Sequence, residues 1–527
     1  MLLKKPLMPS YWLGLFLIIG WGCQQAEPEP RATDERPNIV LILADDMGFS
    51  DLGIYGSEIP TPVLDSLGRN GILFSRFYNA ARCCPTRASL LTGLYPHRAG
   101  MGKMVSSIDP SPELGPYQGF LTDSSATLAE VLGASGYNCY MSGKWHVGEK
   151  PEHWPMKRGF DDYFGLISGA SSYYELITDQ PRVRQMVLGD NAWTPPDSGF
   201  YMTDAFTDHA VRLVENAPAD QPFFLYLAYT APHWPMHAPE EEIAKYREQF
   251  SVGWDVIRQA RAERLQSSPL FPDGFTLSPK TEGLPAWEDV PETEQQQWID
   301  LMATYAAMVN IMDSGIGKVM NSLSAKGVDD NTLVIFLSDN GACAENIAGR
   351  KLHDPDVPIG ARGSYIAYDE AWANVSSTPF RYYKKNTYEG GAATPFIAYW
   401  PKQIQAGQLS RQVGHVIDIM PTLAEIAGAT YPSTSAIKRP DGTSLSNYLM
   451  GASETQSRRI AWEHFGNRAI LDGKWKLVAH KDAEWKLYDM ETDRTELNDL
   501  SSKESEVRDR LENAYGKWVR DGYRFEE

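Results

Sequence analysis

Asp45-Asp46 and Asp339-Asn340 place three carboxylates and one side-chain amide at two points nearly three hundred residues apart. These are hard oxygen donors, which suit Ca²⁺ or Mg²⁺ rather than zinc or copper. Alone, each pair reads equally as a helix cap or a turn. Between them lies Cys83-Cys84-Pro85-Thr86-Arg87, followed by Ala88-Ser89-Leu90-Leu91-Thr92-Gly93. Pro85 suits the start of a helix whose N-terminus would face an anion. Lys144 and His146 are two residues apart, and a strand-like spacing would put them on one face. His233 sits between Pro232 and Trp234-Pro235, and a histidine can donate a proton near neutral pH. Lys384-Lys385 precedes Glu389-Gly390-Gly391.

The elements around these residues point to one architecture. Ile39-Val40-Leu41-Ile42-Leu43 is continuously apolar and runs directly into Asp45-Asp46. Such a run predicts a strand buried on both faces, with its carboxyl end at the acidic pair. Thr332 to Leu337 repeats the design before Asp339-Asn340, and Phe223 to Ala228 does so before His233. Open α/β sheets place their sites at such strand ends. Helical spacing over Leu128–Leu132, Trp298–Leu323 and Pro421–Ala427 supplies covering helices. Residues 240–296 are polar and broken by Pro, and read as an insertion or lid at the site mouth. Residues 345–383 read as a second long loop. After about residue 430 come four short strand-like runs, from Arg459, Arg468, Trp475 and Trp485, with a hairpin signal at Asp472-Gly473 and a closing helix over Ser505–Arg520. The expected fold is α/β: a large mixed, mostly parallel sheet flanked by helices, with a small C-terminal antiparallel sheet plus a helix.

The segment from Cys83 to Gly93 has the form C-x-P-[ST]-R-x-x-x-L-T-G, which resembles the signature of type I, formylglycine-dependent sulfatases of the alkaline phosphatase superfamily. Gly143-Lys144-Trp145-His146, Ala231-Pro232-His233-Trp234-Pro235 and the K-x-x-x-x-E-G-G element ending at Gly391 match further family elements in the family order. The resemblance implies hydrolysis of a sulfate monoester. Cys83 is then the residue oxidised to formylglycine, whose hydrated aldehyde attacks sulfur. Asp45, Asp46, Asp339 and Asn340, with residue 83, hold one divalent cation, calcium ahead of magnesium. Arg87 steadies the nucleophile and the carboxylates. Lys144 contacts sulfate, and His146 is the base for releasing it. His233 contacts sulfate and helps protonate the leaving alcohol. Lys384 is the further sulfate contact, with Lys385 the competing assignment. His97 is placed at a sugar subsite. His237 reads as a rim or structural residue, and His415 and Asp418 read as structural. A sulfatase-maturating enzyme is the implied partner, and a sulfated polysaccharide or its oligosaccharides the substrate. A phosphonate or phosphodiester hydrolase with the same nucleophile, or an inactive glycan-binding lipoprotein, are the alternatives.

Forty-nine basic against sixty-eight acidic residues leave a net charge of −19 over 527 residues, which argues against nucleic-acid binding. Positive charge must therefore be local to the pocket. Lys4-Lys5, the apolar Tyr11–Ile19 and Gly20-Trp21-Gly22-Cys23 read as an export signal over residues 1–22, with a loose lipobox at Cys23. A tether over 23–36, a catalytic domain over 37–430 and a C-terminal α+β subdomain over 431–527 complete the expected organisation. The expected location is the periplasm or a lipid-anchored position at the outer membrane, with secretion as the alternative. Five cysteines, one at the lipobox and one at the signature, imply no disulfide framework.

Overall fold

The computed structural model describes residue 2 and residues 35–105, 110–178, 184–432, 434–453 and 455–525. The expected export signal and nearly all of the tether lie outside the described residues. Arg36–Glu527 form one compact unit.

A ten-stranded sheet runs through this unit. Its strands, in chain order, are β1 (Asn38–Ala44), β2 (Ile72–Phe74), β4 (Asn138–Gly143), β5 (Asp162–Leu166), β6 (Met186–Leu188), β7 (Asn191–Trp193), β8 (Phe223–Ala228), β9 (Thr332–Ser338), β10 (Phe396–Tyr399) and β11 (Gln408–Ser410). The label β3 (Phe77–Tyr78) belongs to a short strand paired with β12 (Gly414–His415). The spatial order is β11-β2-β10-β9-β1-β8-β4-β5-β6-β7. The five central strands, β9-β1-β8-β4-β5, are all parallel, and antiparallel pairs occur only towards the edges.

The apolar run in β1 follows from this central place. Val40 and Ile42 join a core with α4 (Met202–Asn216) and the long α8 (Glu292–Lys326), whereas Ile39, Leu41 and Leu43 join a core with α2 (Cys83–Thr92) and α3 (Leu128–Gly133). Both faces of the sheet are thus covered by helices, so the buried positions Ile39–Ala44 are all apolar. The remaining helices of the first half are α1 (Pro62–Arg69), α5 (Glu240–Ile243), α6 (Arg247–Phe250) and α7 (Gly253–Gln266).

Residues 240–296 differ from the sequence reading. They fold into α5, α6, α7 and the first turn of α8, packed on the body of the protein. Trp254 meets Trp287, Trp298 and Trp372 edge to face. Arg261 is fully buried, with Nη1 2.6 Å from Asp51 and Nη2 2.7 Å from Glu58. The polar composition conceals this, because a buried arginine is indistinguishable in sequence from a solvated one. Within residues 345–383 a helix, Asp369–Ser376, buries Trp372.

The four C-terminal runs form the antiparallel sheet β13 (Arg459–His464), β14 (Asn467–Asp472), β15 (Trp475–Ala479) and β16 (Lys486–Asp489), followed by the helix Ser505–Arg520. Its core of Ile470, Leu477, Leu487, Leu511 and Trp518 also takes in Tyr95 and Ile417 from the earlier part of the chain.

Two buried histidines tie stability to pH. His237 has Nε2 3.0 Å from the Ser364 carbonyl, and His415 Nδ1 accepts from the Ile417 N–H at 3.3 Å. Burial lowers each to about 3, from 6.5. Below pH 6.5 the unfolded chain binds protons that the fold refuses, so stability falls on acidification. The loss at pH 5 is roughly 2 kcal/mol for each histidine. The melting temperature should therefore drop between pH 7.5 and 5, and less steeply in His237→Gln/His415→Gln; parallel curves would remove the assignment.

Candidate active site

The register of the central strands assembles the site. Ala44 of β1 pairs with Ser338 of β9, so the next residues, Asp45 and Asp339, emerge side by side. Gly143 of β4 pairs with Ala228 of β8, which sends Lys144 and the His233 loop to the same end. Lys144 and His146 lie beyond the strand, and His146 is in the left-handed region with φ 58°. It is this turn, not strand alternation, that brings both inward. Gly169 lies against the His146 imidazole: a Cβ there would be 2.5 Å from Nε2. The turns after Asn340 and Glu389 also touch backbone to backbone, since a Cβ on Gly341 would lie 1.9 Å from the Gly390 carbonyl oxygen.

Asp45, Asp46, Asp339 and Asn340 are at most 1% exposed. Asn340 Nδ2 donates to Asp46 Oδ1 at 2.7 Å, and the Asp46 N–H is 3.3 Å from Asp339 Oδ1. Arg87, one turn into α2, donates from Nε to Asp339 Oδ2 at 2.9 Å and from Nη1 to the Lys144 carbonyl at 2.8 Å. Lys144 Nζ is 2.6 Å from Asp45 Oδ2, and Lys384 Nζ is 2.7 Å from Asp46. His233 Nε2 lies 3.4 Å from Asp46 Oδ2, while its Nδ1 is 2.6 Å from the Trp234 carbonyl. Cys83, Cys84 and His146 converge, with their ligand atoms all within 4.8 Å of one another.

This crowding shifts the acids. Burial, then the Asp339 charge, pushes the Asp45 carboxyl well up. Burial likewise raises Asp339, against Arg87. Burial would raise Asp46 too, but His233 and Lys384 outweigh it and hold that carboxyl below its ordinary value. The Cys83 thiol is held well below the usual range, first by a hydrogen bond from Cys84 and, against burial, by Lys144 and His146. Burial lowers His233 to about 3.

A hard divalent cation fits these donors. Asp45 Oδ1 and Asn340 Oδ1 are buried with no hydrogen-bond partner among the described residues. Such atoms are costly unless an ion completes them, and two raised carboxyls in one dry site call for positive charge beyond Arg87, Lys144 and Lys384. Asp45, Asp46, Asp339 and Asn340 would supply oxygen only, the preference of calcium or magnesium.

Of the two adjacent lysines, Lys384 enters the cluster. Lys385 has φ 79° and turns outward, its side chain 47% exposed and Nζ 2.6 Å from Glu345. His97 is not brought to the cluster. Its Nε2 is 2.6 Å from Glu463 and its ring stacks on Tyr523 at 3.9 Å, so it links the C-terminal sheet to the chain after α2. The resemblance set His97 at a sugar subsite; the fold encloses it against a C-terminal segment that no local pattern reveals. Asp418 pairs with Arg458 and accepts the His415 N–H at 2.8 Å, a structural role. Sequence reasoning left Cys84 in a variable slot and passed over Gly169; neither carries a local signal, because each matters only through its neighbour in space.

The Sulfatase family model matches residues 37–429. The chain belongs to the sulfatase family. A second family model, N-sulphoglucosamine sulphohydrolase C-terminal, matches residues 379–517. An arylsulfatase of Klebsiella aerogenes is 34% identical over 426 residues, covering 78% of this chain and 90% of the relative. The N-acetylgalactosamine-6-sulfatase of Homo sapiens is 30% identical over 440 residues, covering 81% and 67%. Among solved structures, Ps i-CgsB in complex with k-i-k-neocarrahexaose superposes with a TM-score of 0.67 at 26% identity, over 92% of this chain and 93% of that one. This sulfatase is therefore a sulfuric ester hydrolase, and its family uses a formylglycine and a divalent metal.

The geometry separates the two lysines. Lys384→Ala should lower kcat/KM for a sulfate ester by about 10²-fold, the effect of removing one preorganised charge from a buried site. Lys385→Ala should cost at least about ten times less, as expected for a half-exposed ion pair. Equal losses in steady-state assays would reverse the assignment.

Proposed function

We propose that this sulfatase removes sulfate from a sulfated polysaccharide or its oligosaccharides, with formylglycine at position 83 and calcium at Asp45, Asp46, Asp339 and Asn340. The observation that carries the reading is the convergence of Cys83, three buried carboxylates, Arg87, Lys144 and Lys384 at one end of the parallel sheet. When present, the cation supplies a Lewis acid and the oxidised side chain supplies the oxygen nucleophile that a thiol cannot replace.

The chain's own residues divide the remaining work. Lys144 and Lys384 bind sulfate oxygens. Arg87 holds Asp339 and keeps the carboxylates in place. His146 takes a proton at the side chain of residue 83. His233 has Nδ1 on the Trp234 carbonyl, which leaves Nε2 facing the pocket beside Lys384 and Asp46. Lys384 is a cation in this setting, since Asp46 outweighs the burial that opposes its charge. It is the proton store from which Nε2 of His233 protonates the leaving alcohol.

Support for a saccharide comes from the residues around His233. Trp234 follows His233, meets Tyr365 at 5.9 Å between ring centroids, and carries the Arg350 guanidinium over its face at 4.7 Å. The Arg184 charge acts on Tyr365, and Arg82 precedes Cys83. Aromatic faces with cations suit a sugar ring bearing further anionic groups. The relatives' names point the same way: one acts on N-acetylgalactosamine-6-sulfate by its name, and one solved structure holds a neocarrahexaose.

Export is part of the proposal. It rests on the basic, apolar and Gly-rich order of residues 1–23, and lipidation at Cys23 would place the enzyme at a membrane surface. Among the described residues no helix is long and apolar enough to cross a membrane.

Sulfate release from a panel of sulfated glycans, comparing wild type with Cys83→Ala after co-expression with a maturating enzyme, tests the substrate class. Release by wild type alone is expected. Turnover confined to phosphodiesters or small aryl sulfates would overturn the polysaccharide reading. Calcium at 100-fold over its Kd should add about 2.7 kcal/mol to stability. EDTA should lower the melting temperature of wild type and leave Asp45→Asn/Asp339→Asn nearly unmoved.

A further inference from the structure

Glu345 lies five residues beyond Asn340, on the chain that leaves β9, with its side chain 19% exposed. Three side chains donate to its carboxylate. Lys385 Nζ is 2.6 Å from Oε1, Arg82 Nη1 is 3.3 Å from Oε1, and Trp234 Nε1 is 3.0 Å from Oε2. Each donor is the immediate neighbour of a site residue: Arg82 precedes Cys83, Trp234 follows His233, and Lys385 follows Lys384. One carboxylate therefore joins three catalytic segments that are separated by between about 150 and 300 residues of chain and meet nowhere in sequence.

The electrostatics agree with that geometry. Burial would raise the Glu345 carboxyl, but Lys384, Arg82 and Lys385 outweigh it and hold it well below its ordinary value. It is an anion throughout the working range of the enzyme. The adjacent lysines sharpen the point. Lys384 reaches Asp46, whereas Lys385 turns to Glu345. Glu345 takes up the second ammonium on the outer side of that turn. It also fixes the Trp234 indole, and with it the peptide whose carbonyl holds His233 Nδ1.

We propose that Glu345 is a positioning residue of the sulfatase reaction, clasping the segments that present Cys83, His233 and Lys384 so that nucleophile, leaving-group histidine and sulfate-binding lysine stay in register. It acts through Arg82, Trp234 and Lys385 rather than on substrate. Misplacing catalytic groups by about 1 Å is enough to cost about 10²-fold in rate.

The test uses the full-length matured enzyme and 4-nitrophenyl sulfate, with formylglycine occupancy measured by mass spectrometry to normalise rates. Glu345→Ala should lower kcat by about 10²-fold with a much smaller change in KM. Glu345→Gln keeps an acceptor for the indole and loses both ion pairs, and should fall between Ala and wild type. Glu345→Asp should recover most of the rate. Amide hydrogen exchange should quicken together in residues 82–84, 233–235 and 384–386, with β1 and β9 unchanged. A kcat for Glu345→Ala within threefold of wild type would overturn the proposal, as would faster exchange in one of the three segments alone. If Glu345→Ala does not fold, Glu345→Gln carries the test. Exchange that quickens uniformly in that variant would mark a structural residue only and also overturn the proposal.

Discussion

Everything in this enzyme turns on three carboxylates kept out of water. Asp45, Asp46 and Asp339 sit within a few ångströms of one another, fully buried, opposed by Arg87, Lys144 and Lys384. Three carboxylates thus face three cationic side chains. A divalent cation makes the site positive, ready for an anionic sulfate ester in a molecule whose net charge is −19. Burying isolated charges would cost several kcal/mol each, and only pairing of this quality makes the cluster tolerable. That explains why so much of the chain converges on one strand end: each ion must be met by a partner from a different element.

The C-terminal sheet takes part in that convergence. Lys476 on β15 lies 2.8 Å from both Glu389 and Glu496, all three fully buried. Glu389 begins the Gly390-Gly391 turn that follows Lys384, and its N–H is 2.8 Å from Glu496. Burial and Glu389 raise Glu496 to about 7 despite Lys476. The acid of the E-G-G element is thus a staple between the active-site loop and the small sheet. Trp462 Nε1 adds a bond to the Asn79 carbonyl at 2.8 Å, just ahead of the signature. Removing the small sheet would leave buried ions unpaired, which is a physical reason for the two parts to travel as one compact unit.

Substrate choice belongs to a different layer. The reacting groups come from strand ends and α2, which the sheet holds rigidly. Outside the strands, Trp234 meets Tyr365 and carries the Arg350 guanidinium over its face. Loops on a rigid scaffold are where specificity can vary while the chemistry stays fixed. Glu345 is bonded to Trp234, Arg82 and Lys385, each the chain neighbour of a residue in the cluster.

The sequence alone determined a good deal. Apolar runs leading into Asp45, His233 and Asp339 located β1, β8 and β9, because strands buried on both faces favour apolar residues. The signature from Cys83 to Gly93 and the K-x-H, A-P-H and E-G-G elements pointed to the candidate site through their resemblance to the sulfatase family. Hairpin signals at Asp472-Gly473 and amphipathic spacing near Ser505 located the small sheet and its helix. Only the tertiary structure decided between Lys384 and Lys385, since both are lysines and a left-handed turn at Lys385 sends them to opposite sides. Only the fold enclosed His97 against Glu463 and Tyr523, and buried Arg261 in a segment that reads as solvated. Spacing along a chain reports which face a side chain takes within its own element. Which partner it meets across several hundred residues depends on packing, and packing has no local signature.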